Sequence, residues 1–205
     1  SVRTAAWGDF DNDGDPDLLL GFAGDAPITA LYRNDGNAGF TNVAGLVGLE
    51  LMEGTTRQAS WVDYDADGDL DLFLALRDRA NVLFRNDATG TFTDITQESG
   101  IGDVRRTVGA VWFDTDQDGD LDLVTANMDG DANGLWQNDG GKFTDTAAGQ
   151  PVEAGGRMLG DASQGSVRVC AADVNSDGWF DLSFANYGPN ALLYATGPSK
   201  WADAS

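Results

Sequence analysis

The sequence predicts an all-β fold made of β-propeller blades, each of them a four-stranded antiparallel sheet. One acidic nonapeptide recurs four times, with steps of 54, 51 and 59 residues between the starts of successive copies. No segment shows the apolar periodicity and capping residues of a helix. Repeats of roughly 40 to 50 residues that cannot bury both sheet faces alone are typical of propellers. A β-sandwich or β-solenoid is the alternative, but the repeats are too long for a solenoid rung and too regular for a Greek key.

The repeat extends beyond the nonapeptides, which occupy residues 9–17, 63–71, 114–122 and 173–181. β-rich runs separated by Gly, Asn and Asp predict four strands in each repeat. In the second repeat these strands are 58–62, 70–75, 81–85 and 91–96. The strand after each nonapeptide is apolar on both faces, as expected for a sheet covered by neighbours. We expect one propeller domain or segment over residues 1–205, with blades at about 1–48, 49–101, 102–160 and 161–205.

Aromatic residues recur at fixed places in the repeats. Trp7, Trp61 and Trp112 precede the first three nonapeptides, and the apolar–aromatic pairs that follow are Leu31-Tyr32, Leu83-Phe84, Leu135-Trp136 and Leu193-Tyr194. Because these positions are tied to the repeat, we expect the aromatic side chains to pack between blades rather than to bind sugars. Cys170 aligns with small or apolar residues, so we expect a buried thiol. Trp179 replaces a nonapeptide aspartate and is a candidate for an exposed contact.

Charge excludes several classes of function. The 205 residues include 34 acidic and 12 basic side chains, a net charge of −22, and no histidine. A basic nucleic-acid footprint is absent, and anionic membranes repel such a chain. Without histidine, Ser-His-Asp triads and His-ligated zinc sites are excluded. Only four of the acids are glutamates, and aspartate suits turns and hard-cation sites because its short side chain holds oxygens near the backbone.

The nonapeptides offer the ligands that calcium prefers. Calcium takes six to eight oxygen ligands, and positions 1, 3, 5 and 9 of each copy carry side-chain oxygens. Glycine at position 6 permits a sharp bend, and position 7 offers its backbone carbonyl. We predict about four Ca²⁺ ions, one per repeat. The predicted metal-site residues are Asp9, Asp11, Asp13, Asp15, Asp17, Asp63, Asp65, Asp67, Asp69, Asp71, Asp114, Asp116, Asp118, Asp120, Asp122, Asp173, Asn175, Asp177, Trp179 and Asp181.

Other acidic loops fit the sequence less well. An EF-hand requires a glutamate at position 12, where this chain has Leu20, Leu74, Thr125 and Phe184. Solvated acidic turns without a metal are the alternative, but four copies in register argue against them. Without a cation, four or five carboxylates in nine residues would repel one another.

The segments 61–72, 83–87 and 90–96 together resemble FG-GAP/VCBS repeats, the blades of the integrin α-subunit propeller and its bacterial relatives. The nearest variety resembles the cartilage-acidic-protein-like, ASPIC-type secreted proteins. The resemblance covers nearly the whole chain and implies a calcium ion in the hairpin loop between the first two strands of each blade. It also implies a larger propeller, for example of seven blades. The fourth repeat departs from the pattern, with Asn175 and Trp179 in place of aspartates and no Asn-Asp turn.

The resemblance implies a non-enzymatic, calcium-binding module for protein recognition, adhesion or scaffolding. A carbohydrate-binding, lectin-like propeller and an accessory domain of a secreted hydrolase or lyase are the alternatives. The expected partner is a protein or an assembly, with a glycan possible, and neither nucleic-acid binding nor direct membrane insertion is expected. The expected location is extracellular, at the cell surface or in the periplasm. No catalytic residue and no organic cofactor are predicted.

Overall fold

The computed structural model describes residues 1–24, 27–37, 39–147 and 165–204, and the chain divides into two compact units, residues 1–104 and 105–205. The strands of the first unit are β1 (Val2–Gly8), β2 (Asp17–Phe22), β3 (Thr29–Asn34), β4 (Phe40–Asn42), β5 (Thr56–Val62), β6 (Asp71–Leu76), β7 (Val82–Asn86) and β8 (Phe92–Asp94), followed by helix α1 (Thr96–Ser99). Those of the second are β9 (Thr107–Phe113), β10 (Asp122–Asn127), β11 (Gly134–Asp139), β12 (Lys142–Asp145), β13 (Ser166–Ala172), β14 (Asp181–Asn186), β15 (Ala191–Gly197) and β16 (Lys200–Asp203). The expected boundary between the third and fourth blades, near residue 160, lies outside the described residues.

Each unit holds two four-stranded antiparallel sheets whose strands lie side by side in chain order. The sheets are β1–β4, β5–β8, β9–β12 and β13–β16. The nonapeptide joins the first and second strands of each sheet, and its ninth residue is the first residue of the second strand. The all-β class and the four blade-like sheets predicted from the repeat are confirmed.

In the first unit, one face of the β1–β4 sheet packs against the β5–β8 sheet. Phe10 stacks on Trp61 with 6.5 Å between ring centroids, and both rings contact Phe92. Gly8 makes room for this tryptophan, because a Cβ at residue 8 would lie 2.6 Å from the Trp61 ring. All six residues of β6 are buried, as predicted for a strand with apolar side chains on both faces.

In the second unit, the β9–β12 and β13–β16 sheets pack together with the large and small residues exchanged. Ala171 stands in the fourth repeat where Trp61 stands in the second, and Phe113 stands where the first repeat has Gly8. The buried Phe113 ring meets Phe180 edge-on at 5.5 Å, in the apolar cluster against which Ala171 packs. The large side chain therefore comes from the second repeat in the first unit and from the third repeat in the second unit.

Burial of the repeat-linked aromatic side chains is only partly as expected. Phe84 and Trp136 are buried, and Trp61 packs against the core of the first unit. The expectation is wrong for Trp7, which is 59% exposed and contacts Phe40 edge-on at the outer face of the first sheet. Repeat position therefore does not ensure burial, because the first sheet presents this face to solvent.

The predicted equivalence of Tyr194 with the other strand-three aromatics is wrong by one residue. In the first blade Leu18 pairs with Tyr32, whereas in the fourth blade Leu182 pairs with Leu193. Tyr194 therefore points to the opposite face of its sheet and is 39% exposed. The third strand of the fourth blade follows its nonapeptide at a shorter separation than in the other blades, and this concealed the shift.

The outer face of the fourth sheet also contradicts two expectations. Cys170 pairs with Ser183 on this face, and both are exposed rather than buried. Strand β14 is therefore not apolar on both faces. Trp179, expected as a candidate exposed contact, is instead partly buried and packs against the core of the second unit.

A short helix follows β8 that the sequence did not predict. Helix α1 has one turn, with Thr96 and Ser99 buried and Gly100 at its end in the left-handed conformation, φ 84°. A single turn is too short to give a periodic apolar pattern. Across the described ranges, no helix has the length and apolar character needed to span a membrane.

Candidate metal-binding loops

All four nonapeptides fold into the same loop, which is organised by the aspartate at position 1. Its carboxylate oxygens accept hydrogen bonds from the backbone N–H groups of positions 5 and 6. In the first loop Asp9 accepts from Asp13 at 3.1 Å and from Gly14 at 2.9 Å. The same two bonds recur at Asp63, Asp114 and Asp173. Position 1 therefore shapes every loop, including the divergent fourth.

The bend of each loop uses two residues with positive φ. Position 6 is glycine in every copy, with φ between 92° and 103°. Position 4 has φ between 56° and 63°, a left-handed conformation that is uncommon for residues with a Cβ. The position-4 residues are Asn12, Ala66, Gln117 and Ser176. The aspartate at position 5 then accepts the N–H of position 7, which completes the bend.

Three of the loops gather carboxylates closely enough to share one cation. Within each group, one ligand atom per residue lies within 4.8 Å of the others. The groups are Asp9, Asp11 and Asp13 in the first loop, Asp63, Asp65 and Asp71 in the second, and Asp114, Asp116 and Asp122 in the third. All are positions 1, 3, 5 or 9. Within residues 165–204, the fourth loop forms no comparable group of three acidic side chains.

Position 3 carries the observation that best fits a cation. One oxygen of Asp11 and one of Asp116 are buried without a hydrogen-bond partner. Burial, and then the negative charge of neighbouring carboxylates, raises the pKa of Asp11, Asp65 and Asp116. A buried carboxylate oxygen without a donor is costly, and a divalent cation would satisfy it.

Position 9 joins the loop to the sheet. Asp71 accepts the N–H of Tyr64 in the loop at 3.3 Å and that of Asn86 in the third strand at 2.8 Å. The corresponding aspartates of the other blades, Asp17, Asp122 and Asp181, make the same two kinds of bond. All four are buried, and burial raises the pKa of Asp71 to about 7 despite the two N–H donors. Position 9 is therefore a structural bridge as well as a predicted ligand.

Three of the four position-7 side chains have partners other than a cation. Asp69 accepts a hydrogen bond from Asn12 at 2.7 Å, and Asp120 accepts one from the N–H of Gly140 at 3.1 Å. Trp179 packs against apolar side chains. The backbone carbonyl of position 7 therefore stays the predicted ligand at these three positions.

In the fourth loop, the position-3 side chain is hydrogen-bonded within the loop itself. The amide of Asn175 donates to the carboxylate of Asp177 at 2.8 Å, so one neutral amide and one carboxylate stand where the other loops place two carboxylates. The carbonyl oxygen of Asn175 also accepts from the N–H of Asp177 at 3.0 Å. The fourth loop therefore has the same fold with less need for a cation.

Residues outside the nonapeptides also border the sites. Gln137 donates to the second carboxylate oxygen of Asp116 at 2.9 Å. In the first blade the equivalent Arg33 lowers the pKa of Asp11 by its charge, against the larger effect of burial. In the fourth blade this place holds Tyr194, whose aromatic ring carries no positive charge. In the sequence, this neighbour is the residue that follows the strand-three aromatic in the first and third blades. In the fourth blade it is the residue that follows Leu193.

The residues fit a hard cation well. Oxygen donors of positions 1, 3, 5 and 9 converge in a loop whose backbone conformation is fixed by hydrogen bonds, and two buried oxygens lack donors. The described loops contain no imidazole or thiol ligand, which a softer metal would prefer. The loops are therefore chemically suited to binding a cation on a rigid backbone.

Three overlapping stretches of the chain, residues 9–74, 63–125 and 114–184, match the family model of the FG-GAP-like repeat. Together they span most of the sequence, and the chain belongs to the FG-GAP-like repeat family. No curated protein sequence matches it significantly.

Solved structures share the fold at low sequence identity. An Agrocybe aegerita lectin that recognises non-reducing terminal N-acetylglucosamine is 18% identical over 97% of this chain, with a TM-score of 0.55. The rhamnogalacturonan lyase YesW is also 18% identical, over 98% of this chain, with a TM-score of 0.51. The chain spans 50% and 42% of the lengths of these two proteins. The similarity supports a β-propeller-like module.

Proposed function

We propose that this FG-GAP-like repeat protein is a calcium-binding β-propeller module that serves protein recognition, adhesion or scaffolding outside the cell. The observation that carries the calcium part is the same loop in four copies, with buried position-3 oxygens of Asp11 and Asp116 left without donors. A cation satisfies these oxygens and neutralises the crowded carboxylates.

Calcium is favoured over magnesium by the ligand set. Each loop offers several protein oxygens in a cage, whereas magnesium retains water ligands and rarely enters an all-protein cage. The proposed count is up to four ions, with the fourth loop weakest because Asn175 contributes no negative charge. Bound calcium would offset part of the net charge of −22.

Equilibrium dialysis with metal analysis tests this proposal. We expect three ions per chain at calcium concentrations where the fourth loop is largely empty, and a fourth only at higher concentration. Magnesium at equal concentration should leave the calcium count nearly unchanged. Fewer than one bound calcium per chain at millimolar calcium would contradict the proposal.

Protein recognition is supported by an exposed apolar surface on the first sheet. Trp7, Leu18, Leu20, Tyr32 and Phe40 line a shallow depression of about 260 Å³ whose surface is apolar. Large exposed apolar surfaces mark interaction sites in soluble proteins. A sugar requires hydrogen-bonding groups beside an aromatic ring, and this depression presents almost none.

The lectin-like alternative is tested separately. We expect no binding above background on a glycan array that includes terminal N-acetylglucosamine, with calcium present. Specific binding to one glycan class, lost when calcium is removed, would replace protein recognition by carbohydrate recognition.

We also propose that the chain has no catalytic role of its own. The sequence lacks histidine, and the position-1 carboxylates accept backbone hydrogen bonds that fix the loops. If the module accompanies an enzyme, deletion of the loop ligands should lower the stability of that enzyme or its binding to substrate, with the turnover of the catalytic domain unaffected. An extracellular or periplasmic location fits, because extracellular calcium modules bind at roughly 10⁻⁴ to 10⁻³ M.

A further inference from the structure

Adjacent loops within each unit are joined by a side-chain amide at position 4. In the first unit the Nδ2 group of Asn12 donates to the carboxylate of Asp69 in the second loop at 2.7 Å. In the second unit the Nε2 group of Gln117 donates to the backbone carbonyl of Gly178 in the fourth loop at 3.0 Å. The two units thus show the same link, from position 4 of one loop to position 6 or 7 of the next.

The donor end of this link depends on the conformation of its own loop. Position 4 lies between the ligand positions 3 and 5, and Asn12 and Gln117 have φ values of 57° and 63°. This conformation is uncommon for residues with a Cβ, although asparagine adopts it more readily than glutamine, and the hydrogen bonds of the loop hold both residues in it. A cation held by positions 3 and 5 would fix the backbone on both sides and so the direction of the amide.

The acceptor end lies at the cation-facing part of the next loop. Asn12 bonds one carboxylate oxygen of Asp69 and so holds this side chain toward the first loop, and we expect Asp69 to offer a cation its backbone carbonyl. Holding the Gly178 carbonyl fixes the peptide group that precedes Trp179, the position-7 residue of the fourth loop. In both units the amide therefore orients the segment that supplies the position-7 ligand.

We propose that Asn12 and Gln117 are positioning residues through which calcium binding in one loop strengthens calcium binding in the next loop of the same unit. This inference rests on the proposed calcium binding. The sign of the effect is informative, because two bound cations repel each other. A first ion therefore weakens binding of the second by charge alone, whereas the amide link strengthens it.

Each loop has its own reporter for the test. The N–H groups of Gly14, Gly68, Gly119 and Gly178 donate to the position-1 carboxylate of their own loop, so calcium should shift each glycine amide signal separately. Calcium titration followed by ¹H–¹⁵N correlation spectra of the whole chain gives an apparent affinity for each loop. The experiment compares the Gly68 titration with the first loop intact and with it disabled by Asp11→Ala.

Disabling the first loop should weaken calcium binding at Gly68 by about 2- to 10-fold, the range that one exposed side-chain hydrogen bond supplies. In the Asn12→Ala background the same Asp11→Ala change should leave the Gly68 affinity equal or slightly higher. Asn12→Ala alone should weaken the Gly68 affinity while the loop signals retain their folded positions. Gln117→Ala should act likewise on Gly178.

Ser176→Ala, at position 4 of the fourth loop, is the matched control and should leave the Gly68 affinity unchanged. Equal weakening at Gly68 with and without Asn12 would overturn the link, as would independent titration of the two loops. If no glycine amide responds to calcium, the calcium proposal itself fails and the link falls with it.

Discussion

The second and fourth loops have the same backbone hydrogen bonds but different charge. In both, the position-1 aspartate accepts two N–H groups and the position-9 aspartate bridges loop and sheet. The second loop then brings three carboxylates together, whereas the fourth has Asn175 bonded to Asp177. The comparison separates two roles of the nonapeptide, since the loop fold requires positions 1, 6 and 9, and the proposed metal site additionally requires the carboxylate at position 3.

The surroundings of the loops follow the same division. Gln137 and Arg33 border the position-3 carboxylate in the third and first blades, and Tyr194 takes this place in the fourth. In the fourth repeat, therefore, both the position-3 residue Asn175 and its neighbour Tyr194 differ from the residues of the first and third repeats. A repeat can lose its proposed cation site and keep its blade, because the sheet depends on backbone pairing and apolar packing.

Removal of calcium is the largest expected effect and tests whether the first three loops share a role. Each filled site at a ligand concentration of 100 times its Kd stabilises the folded state by about 2.7 kcal/mol. For a chain of this size that corresponds to a fall in Tm of roughly 5–10 °C per emptied site. Calorimetry with and without excess chelator measures it. An unchanged Tm at low salt would contradict the cation role of the loops.

Removal of the position-9 aspartate separates the fold role from the metal role. Asp71→Ala and Asp181→Ala each leave two buried or partly buried backbone N–H groups without an acceptor, which costs about 2–4 kcal/mol of unfolding free energy. In excess chelator we expect similar losses for the two variants, measured by urea unfolding. In calcium, Asp71→Ala should lose more. Equal losses in calcium would mean that the two loops do not differ in metal binding.

Exchange at position 3 should convert one kind of loop into the other. Asn175→Asp restores the position-3 carboxylate and removes the amide bond to Asp177, so calcium affinity in the fourth loop should rise by about tenfold or more. Asp65→Asn is the matched reverse change and should weaken the second loop by a similar factor. Calorimetric calcium titration measures both. A fourth loop that binds most tightly in the unaltered chain would refute the comparison.

The pH dependence of the chelated protein is the smallest expected effect. Burial raises the pKa of Asp71 to about 7 in the folded state, above its ordinary value. A carboxyl group with a raised folded pKa contributes stability that is complete below pH 4 and lost as pH rises through about 7. Urea unfolding in excess chelator should therefore show lower stability at pH 8 than at pH 5.

Asp71→Asn provides the control for this measurement, because general repulsion among the carboxylates has the same sign. The variant should retain less of the pH dependence than the unaltered chain. With saturating calcium the dependence should reverse, since calcium competes with protons for the carboxylates. An identical slope in the variant would show that Asp71 does not contribute.

Much of the fold was predictable because the same strands and loops recur in every repeat. The nonapeptides gave the loop positions, and the first residue of the second strand of each blade is the aspartate at position 9. The placement of Asp9, Asp11 and Asp13 in one group also follows from local spacing. These features depend on residues close in sequence, and four copies make the pattern clear.

Errors arose where burial depends on other sheets. Trp7 and Cys170 occupy positions that are equivalent to covered ones in other repeats, yet both lie on exposed sheet faces. Packing between blades also depends on two repeats at a time. In the first unit Gly8 of one repeat makes room for Trp61 of the next, and in the second unit Phe113 and Ala171 stand at these two places. A single repeat does not show which of its faces has a partner.

By itself, the sequence determined the strand-loop-strand repeat, its acidic oxygen ligands and its membership of a blade-forming family. These are set by local chemistry, namely alternating apolar residues, a glycine at the bend and aspartates at fixed spacing. Only the tertiary structure decided the register that separates Leu193 from Tyr194, the two uses of the position-9 aspartate, and the amide links from Asn12 and Gln117 to the following loops. The physical reason is that each of these depends on contacts between strands or loops far apart in the chain, and one-residue shifts in such contacts reverse the face on which a side chain lies.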